Sequence, residues 1–298
     1  MADAQSKPIE TKRELAIVET AIESYRTVFT NFGALVRITW LWLVLAVIAF
    51  YALQRSGLFN AEWENSIVTP DADGRALGLY SIVAMLAFIG YIVAFSSIAV
   101  GWHRTLLLRE TSTAPLGLRL DKPVLSYIWL GLLTCLALLL ITLIAGIPVG
   151  FLIAPFVKTV ADGQRLTRGG MVGAAVFALL AILPGWLVIT RWMLSFPAAA
   201  LGRKLSLTES MRRTRGFTWP LFAGSLLVIA PSWVVSTAFD GLFGSVDEGP
   251  LLLIRDVLNA VVSVISMIAG IGFMSLVYQR LVGVGNELPV AGEPTPTL

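Results

Sequence analysis

The stretch from Thr190 to Ala230, TRWMLSFPAAALGRKLSLTESMRRTRGFTWPLFAGSLLVIA, joins the end of one apolar segment to the start of the next through a basic turn. The segment Ser206 to Glu209 has the pattern of a capping box, in which serine accepts from the glutamate amide and the carboxylate reaches back. Gly216 is typical of a helix end, because glycine adopts the left-handed conformation without a Cβ clash. The stretch therefore predicts a short basic surface helix over 207–215, followed by a membrane span.

The composition of the chain places it in a bilayer. Of the 298 residues, 56% are hydrophobic and 14% are charged, and the mean hydropathy is +0.80. Soluble domains carry about 25% charged residues. The net charge of +3 is too mild to indicate a nucleic-acid partner.

Long apolar runs between polar segments predict an all-α integral membrane fold with six transmembrane helices. We expect one membrane domain over 11–285, between a disordered N-terminus (1–10) and a disordered tail (286–298). The predicted spans cover 36–53, 77–100, 128–153, 171–192, 219–239 and 255–281. Pro148 and Pro155 are expected to bend or end the third span, since proline removes a helical hydrogen bond.

An amphipathic helix is predicted ahead of the first span, over 12–32. It follows a second capping box, Thr11 to Glu14, and we expect Gly33 to end or bend it. Apolar residues three and four positions apart form one face of this helix. They are Leu15, Val18, Ile22, Tyr25, Phe29 and Phe32.

Lysine and arginine are distributed asymmetrically between the two predicted sides of the membrane, fifteen against five. The richer side is expected to be cytoplasmic. Both termini and the amphipathic surface helices then face the cytoplasm. The loop 157–170 does not fit this distribution, because it carries three basic residues on the side that has fewer of them.

Similar segments recur along the chain. The segment Glu23 to Arg26 (ESYR) aligns with Glu209 to Arg212 (ESMR), and Arg104 aligns with Arg191 at the ends of two spans. We predict three hairpin units, beginning near residues 11, 113 and 203, each with a surface helix and two spans. An even number of spans gives every unit the same orientation, so these are parallel repeats. Chance similarity among amphipathic helices is the alternative.

No catalytic, cofactor or metal motif is apparent. One cysteine and one histidine exclude the usual Cys/His zinc and iron–sulfur clusters. There is no Walker-type glycine loop and no Gly-x-Ser-x-Gly elbow. Basic residues at predicted cytoplasmic span ends are instead candidates for contact with lipid headgroups. The candidates are Arg104, His103, Arg191, Arg203, Lys204, Arg212, Arg213 and Arg215.

The segments 195–202 (SFPAAALG), 205–210 (LSLTES) and 214–216 (TRG) resemble a family of uncharacterised bacterial multi-pass inner-membrane proteins. They also resemble the membrane-anchor domain attached to some glycerophosphodiester phosphodiesterases. The similarity is sharp over 187–230 and only architectural elsewhere. It implies a bacterial inner membrane and a six-helix domain. It implies no phosphodiesterase activity, because that chemistry belongs to a separate soluble domain.

The leading hypothesis is a non-enzymatic inner-membrane protein that interacts with lipids, anionic ones included, or acts as a scaffold. A membrane-protein partner or a second copy of the chain is compatible with it. A transporter or channel for a small or lipidic solute is the first alternative, and needs the serines and threonines of the spans to face one cavity. An intramembrane enzyme using His103, Asp240 or Asp256 is the third.

Overall fold

The computed structural model describes residues 16–55, 75–110, 119–161, 168–243 and 250–283, and these form nine helices without a strand. The helices are α1 Ile17–Thr30, α2 Phe32–Arg55, α3 Arg75–Leu108, α4 Lys122–Ala161, α5 Arg168–Trp192, α6 Ser195–Ala200, α7 Leu207–Arg213, α8 Thr218–Phe243 and α9 Pro250–Leu281. The predicted capping box at Thr11 to Glu14, the predicted disordered N-terminus and the predicted tail lie outside the described residues.

Five of these helices are long and apolar enough to cross a membrane. Their apolar segments are Phe32–Ala49, Ser81–Leu108, Lys122–Pro148, Thr218–Phe243 and Ile254–Leu281. They correspond to predicted spans one, two, three, five and six. The predicted fourth span lies in α5, which is a continuous helix of 25 residues with Pro184 inside it. An all-helical, multi-pass membrane architecture follows.

Several helix boundaries differ from the prediction. Helix α4 runs through Pro148 and Pro155 to Ala161, so neither proline ends it. Gly33 lies inside α2, and the break between α1 and α2 falls at Asn31. The backbone N–H and the side-chain amide of Asn31 both donate to the Thr27 carbonyl, at 3.1 and 3.0 Å, and so cap the end of α1. Sequence periodicity could not separate two helices joined by a single residue.

The buried side chains collect at one end of the helix bundle, which we call the packed end. It combines the starts of α2, α4 and α8 with the last turns of α3 and α9 and the segment around α6. Trp102 and Phe273 lie in its centre, whereas Ile48 and Phe151, further along their helices, are exposed. Away from the packed end, the helices therefore present their apolar side chains outward.

Glycine permits close helix packing at this end. A Cβ atom at Gly224 in α8 would overlap the Phe273 ring of α9 and would lie 3.0 Å from Ile17 in α1. A Cβ atom at Gly272 in α9 would lie 3.3 Å from the Thr27 hydroxyl, a tight contact without overlap. Gly146 in α4, by contrast, has open space around the position of a Cβ atom.

Helix α1 packs into the groove between α8 and α9 through its small and polar side. Thr20, Ser24 and Val28 are buried there, and the Tyr25 hydroxyl donates to the Val228 carbonyl at 2.6 Å. Most of the predicted apolar stripe faces outward, and of its described members only Tyr25 turns inward. Its exposed members are Val18, Ile22, Phe29 and Phe32. The side of α1 that docks within the chain is therefore the one that hydrophobicity alone would assign to water.

Arginines at the ends of α3, α5 and α9 each bind a neighbouring segment. Arg280 donates to the Ala16 carbonyl and the Thr20 hydroxyl and pairs with Glu23 at 2.6 Å. Arg191 donates to the Met211 carbonyl at 2.7 Å. We call these contacts the arginine clasps, because each holds a short helix, α1, α6 or α7, against the end of a long one.

Arg104 makes the third clasp. It pairs with Glu110, just after α3, and donates to the Ala200 carbonyl at 3.3 Å. Arg104 therefore ties the end of α3 both to the following segment and to α6.

Candidate functional site

A basic cavity opens at the packed end, between the end of α3, the start of α4, α6 and the loop that leads to α7. Its volume is about 750 Å³. Four cations line it, namely Arg104, Lys122, Arg203 and Lys204, and its described lining contains no carboxylate. We call it the basic cavity.

The helices fix the position of each cation. Lys122 opens α4, and Ser126 and Trp129 follow it at spacings of four and three, which places all three on one face of the helix. Arg203 and Lys204 follow Gly202, whose φ of 72° is the left-handed conformation that glycine adopts readily. That turn brings the α6–α7 loop over the start of α4.

The acidic residues nearby are engaged by arginines. Glu110 accepts from Arg104, and this hydrogen bond holds the pKa of the Glu110 carboxyl below its usual value. Asp121 accepts from Arg119 at 2.7 Å. Lys122 and Lys204 are exposed and have no acidic partner within the described ranges. The cavity therefore keeps a positive charge.

One polar group inside the cavity has no hydrogen-bond partner. Ser195 is 1% exposed, lines the cavity, and its Oγ makes no hydrogen bond in the structure. A buried hydroxyl without a partner costs about 1–3 kcal/mol. An acceptor bound in the cavity would remove that cost.

The structure separates the predicted headgroup residues into three groups. Arg104, Arg203 and Lys204 meet in the basic cavity. Arg212, Arg213 and Arg215 lie around α7 outside it. Arg191 makes the clasp to α7, and its Nε is buried.

His103 lies inside the bundle rather than at the headgroup level. Its ring is fully buried, Nδ1 is 2.7 Å from the Ser275 hydroxyl, and Tyr127 packs beside it at 5.8 Å between ring centroids. The Ser275 hydroxyl also lies 3.2 Å from the Ile271 carbonyl. The sequence placed His103 at a span end, but α3 continues beyond it to Leu108 and carries the ring into the core.

The capping of α7 agrees with the prediction in part. The Ser206 hydroxyl accepts from the Glu209 amide at 3.1 Å, and Gly216 has a φ of 88°, so both signals are confirmed. The Glu209 carboxylate, however, pairs with Arg213 and Arg212 at 2.7 Å each. The hydrogen bond from Arg213, with that from Arg212, holds the pKa of Glu209 below its usual value.

The sequence missed three contributors to the cavity, Lys122, Ser126 and Ser195. A signal for two of them was present, since Lys122, Ser126 and Trp129 share a helix face. Ser195 carried no such signal, because α6 is a six-residue helix that the pattern did not predict.

Three of the span hydroxyls on which the transport alternative depends contact separate groups, whereas the Thr134 hydroxyl is buried without a hydrogen-bond partner. Ser232 donates to the Ile229 carbonyl at 2.7 Å, Ser97 accepts from the Arg119 amide at 3.3 Å, and Ser266 lies 2.8 Å from the Tyr25 hydroxyl. In the described part of the chain, no three or more His, Cys, Asp or Glu residues cluster as metal ligands would.

Comparison with known proteins identifies no relative of this chain. No family model matches the chain, and neither the curated proteins nor the solved structures contain a significant match.

Proposed function

We propose that the protein is a non-enzymatic, multi-pass protein of a bacterial inner membrane that binds anionic lipid headgroups at its packed end and serves as a lipid-interacting or scaffolding component. The observation that carries the proposal is the basic face. It consists of the exposed cations Lys122, Lys204, Arg212 and Arg215, which surround the ends of the long helices. Each cation near an anionic leaflet contributes about 1 kcal/mol.

The proposed arrangement has six spans, with α5 as the fourth, and with both termini and the basic face in the cytoplasm. The concentration of lysine and arginine on that side supports this orientation. The basic face would then meet the cytoplasmic leaflet, whose anionic lipids attract juxtamembrane cations.

We also propose that the spans form three parallel hairpin units. The arginine clasps support this, since Arg191 at the end of the second unit holds α7 of the third, and Arg280 at the end of the third holds α1 of the first. Ser24 and Ser210, which occupy matching positions in the two ESxR segments, are both fully buried. The three units are not arranged with exact threefold symmetry. Such symmetry would place α9, the last helix of the third unit, against α2, the first span of the first unit, whereas α9 packs against α3.

Lipid analysis of the purified protein tests the headgroup proposal. Replacing Arg212, Arg213 and Arg215 by Gln should reduce the enrichment of anionic over zwitterionic lipid that copurifies with the protein. Arg255→Gln is the matched control, because Arg255 lies near the start of α9, away from the packed end. Equal enrichment in the triple variant and in the control would contradict the proposal.

A further inference from the structure

We propose that the basic cavity is a site for one anionic phospholipid, whose phosphate lies between Lys122 and Lys204 and whose acyl chain follows the α4 face toward the membrane. This inference rests on the proposed function and names the ligand of its central site. It goes beyond general attraction to a charged leaflet, because it requires one lipid bound in a defined position.

The polar half of the cavity has the chemistry of a phosphate site. Lys122 and Lys204 provide ammonium donors without acidic partners in the described chain, and Arg104 and Arg203 provide guanidinium groups that match phosphate oxygens. The Ser195 hydroxyl, buried and without a hydrogen-bond partner, supplies a neutral donor at the cavity wall. These groups converge from four segments of the chain, which a diffuse basic surface would not require.

The position of Lys122 has an electrostatic cost that an anion would offset. It occupies the first residue of α4, where the helix dipole presents partial positive charge. A lysine there is unfavourable for the isolated helix, and Asp121, which could compensate, is held by Arg119. Phosphate groups bind at helix N-termini for the same electrostatic reason.

The apolar half of the cavity distinguishes a lipid from a free phosphate ester. Trp129 and Leu130 line the cavity two turns along α4 from Lys122, about 10 Å further into the span at the rise of an α-helix. Trp129 is 63% exposed in the structure, and indole rings prefer the boundary between headgroups and acyl chains. A ligand with a phosphate at one end and a hydrocarbon chain at the other would contact both halves.

Native mass spectrometry of the detergent-solubilised full chain, titrated with phosphatidylglycerol, tests the inference. We expect one phosphatidylglycerol to bind ahead of any further lipid, and Lys122→Gln/Lys204→Gln to weaken this first binding by roughly thirty-fold. Ser195→Ala should weaken it by a smaller factor. Arg255→Gln, near the start of α9 and away from the packed end, should leave it unchanged.

Three results would overturn the inference. They are equal first binding by the double lysine variant, equal first binding of phosphatidylcholine, and displacement of the lipid by glycerol 3-phosphate at comparable concentration, which would indicate a site for a free phosphate ester. Melting temperatures of the variants verify that they are folded. If the wild-type protein copurifies with no excess of anionic lipid, the proposed function fails; if the excess persists but is insensitive to Lys122 and Lys204, only the cavity assignment fails.

Discussion

At the scale of single residues, Gly224 determines how closely three helices approach. It is buried in α8 with α1 on one side and the Phe273 ring of α9 on the other. Phe273 is 2% exposed, so its ring has no open space to move into.

Gly224→Ala should therefore destabilise the protein by about 1–3 kcal/mol, the usual cost of overpacking a core. Gly131→Ala is the control, because nothing lies within 4 Å of a Cβ at that position. It should be neutral or stabilising by up to about 1 kcal/mol, since alanine favours helix more than glycine does. Thermal unfolding in detergent measures both, and equal melting temperatures for the two variants would contradict the packing described here.

Glu110 and Glu209 predict a dependence of stability on acidity. Their arginine partners lower the pKa of each carboxyl in the folded state. A group whose pKa is depressed on folding stabilises the protein above its unfolded pKa, and this contribution is lost as pH falls through the folded pKa.

The melting temperature should accordingly fall as the pH drops below about 4.3, the ordinary pKa of glutamate. A Glu110→Gln/Glu209→Gln variant should be less stable than the wild type at pH 7, and its acid-induced decrease should be smaller. Melting curves from pH 3 to 7 give the comparison. Parallel pH profiles for the two proteins would show that these carboxyls do not contribute.

At the scale of helices, the two short helices α1 and α7 depend on the arginine clasps. Arg280 binds α1 through the Thr20 hydroxyl and Glu23, and Arg191 binds α7 through the Met211 carbonyl. The Arg191 carbonyl also accepts from the Ser210 hydroxyl at 2.7 Å. Each of the two helices, α5 and α7, therefore donates a hydrogen bond to the other.

Arg280→Gln should speed hydrogen exchange in α1 without affecting α7, and Arg191→Gln should do the reverse. The reason is that each substitution removes charged hydrogen bonds from one helix only, and such bonds contribute about 1.5–3 kcal/mol. Hydrogen–deuterium exchange with mass spectrometry resolves the two peptides. Unchanged exchange in both helices, or loss of protection throughout the bundle, would argue against separate clasps.

The positions of the helices along the sequence were predicted better than the way in which the helices pack against one another. Apolar runs located every long helix, and the cap signal at Ser206 placed the start of α7, because these depend on local chemistry. Helix α7 ends at Arg213, two residues before the predicted end at 215. The docking of α1 through its small and polar side could not be predicted. In a bilayer the apolar side of a helix can face lipid, so small residues such as Thr20 and Ser24 form the internal contact.

The candidate site was predicted in part for a similar reason. Basic residues at span ends are visible in the sequence, and three of the eight candidates line the cavity. Which of them converge depends on tertiary packing. Arg191 and Arg212 are instead engaged within the chain, and His103 is buried because α3 extends further than its apolar run suggested.

At the scale of the whole molecule, the proposed orientation puts the packed end in the cytoplasm. Thr208 on α7 and Asp240 near the end of α8 are both exposed and lie at opposite ends of the bundle. Cys135 is the only cysteine of the chain, so its replacement by alanine gives a clean background for labelling.

Thr208→Cys should react with an impermeant maleimide only after the inner membrane is opened, and Asp240→Cys should react in intact spheroplasts. The excess of lysine and arginine on the proposed cytoplasmic side is the reason for this expectation. The opposite labelling pattern would invert the orientation and remove the basic face from the cytoplasmic leaflet.

The most direct test of the central claim is native mass spectrometry of the full chain extracted into nanodiscs straight from its membrane. The account predicts that one anionic phospholipid stays bound to each chain after the bulk lipid is removed, and that a Lys122→Gln/Lys204→Gln variant loses it. A chain that releases all lipid, or one that retains lipids in the proportions of the surrounding membrane, would contradict it.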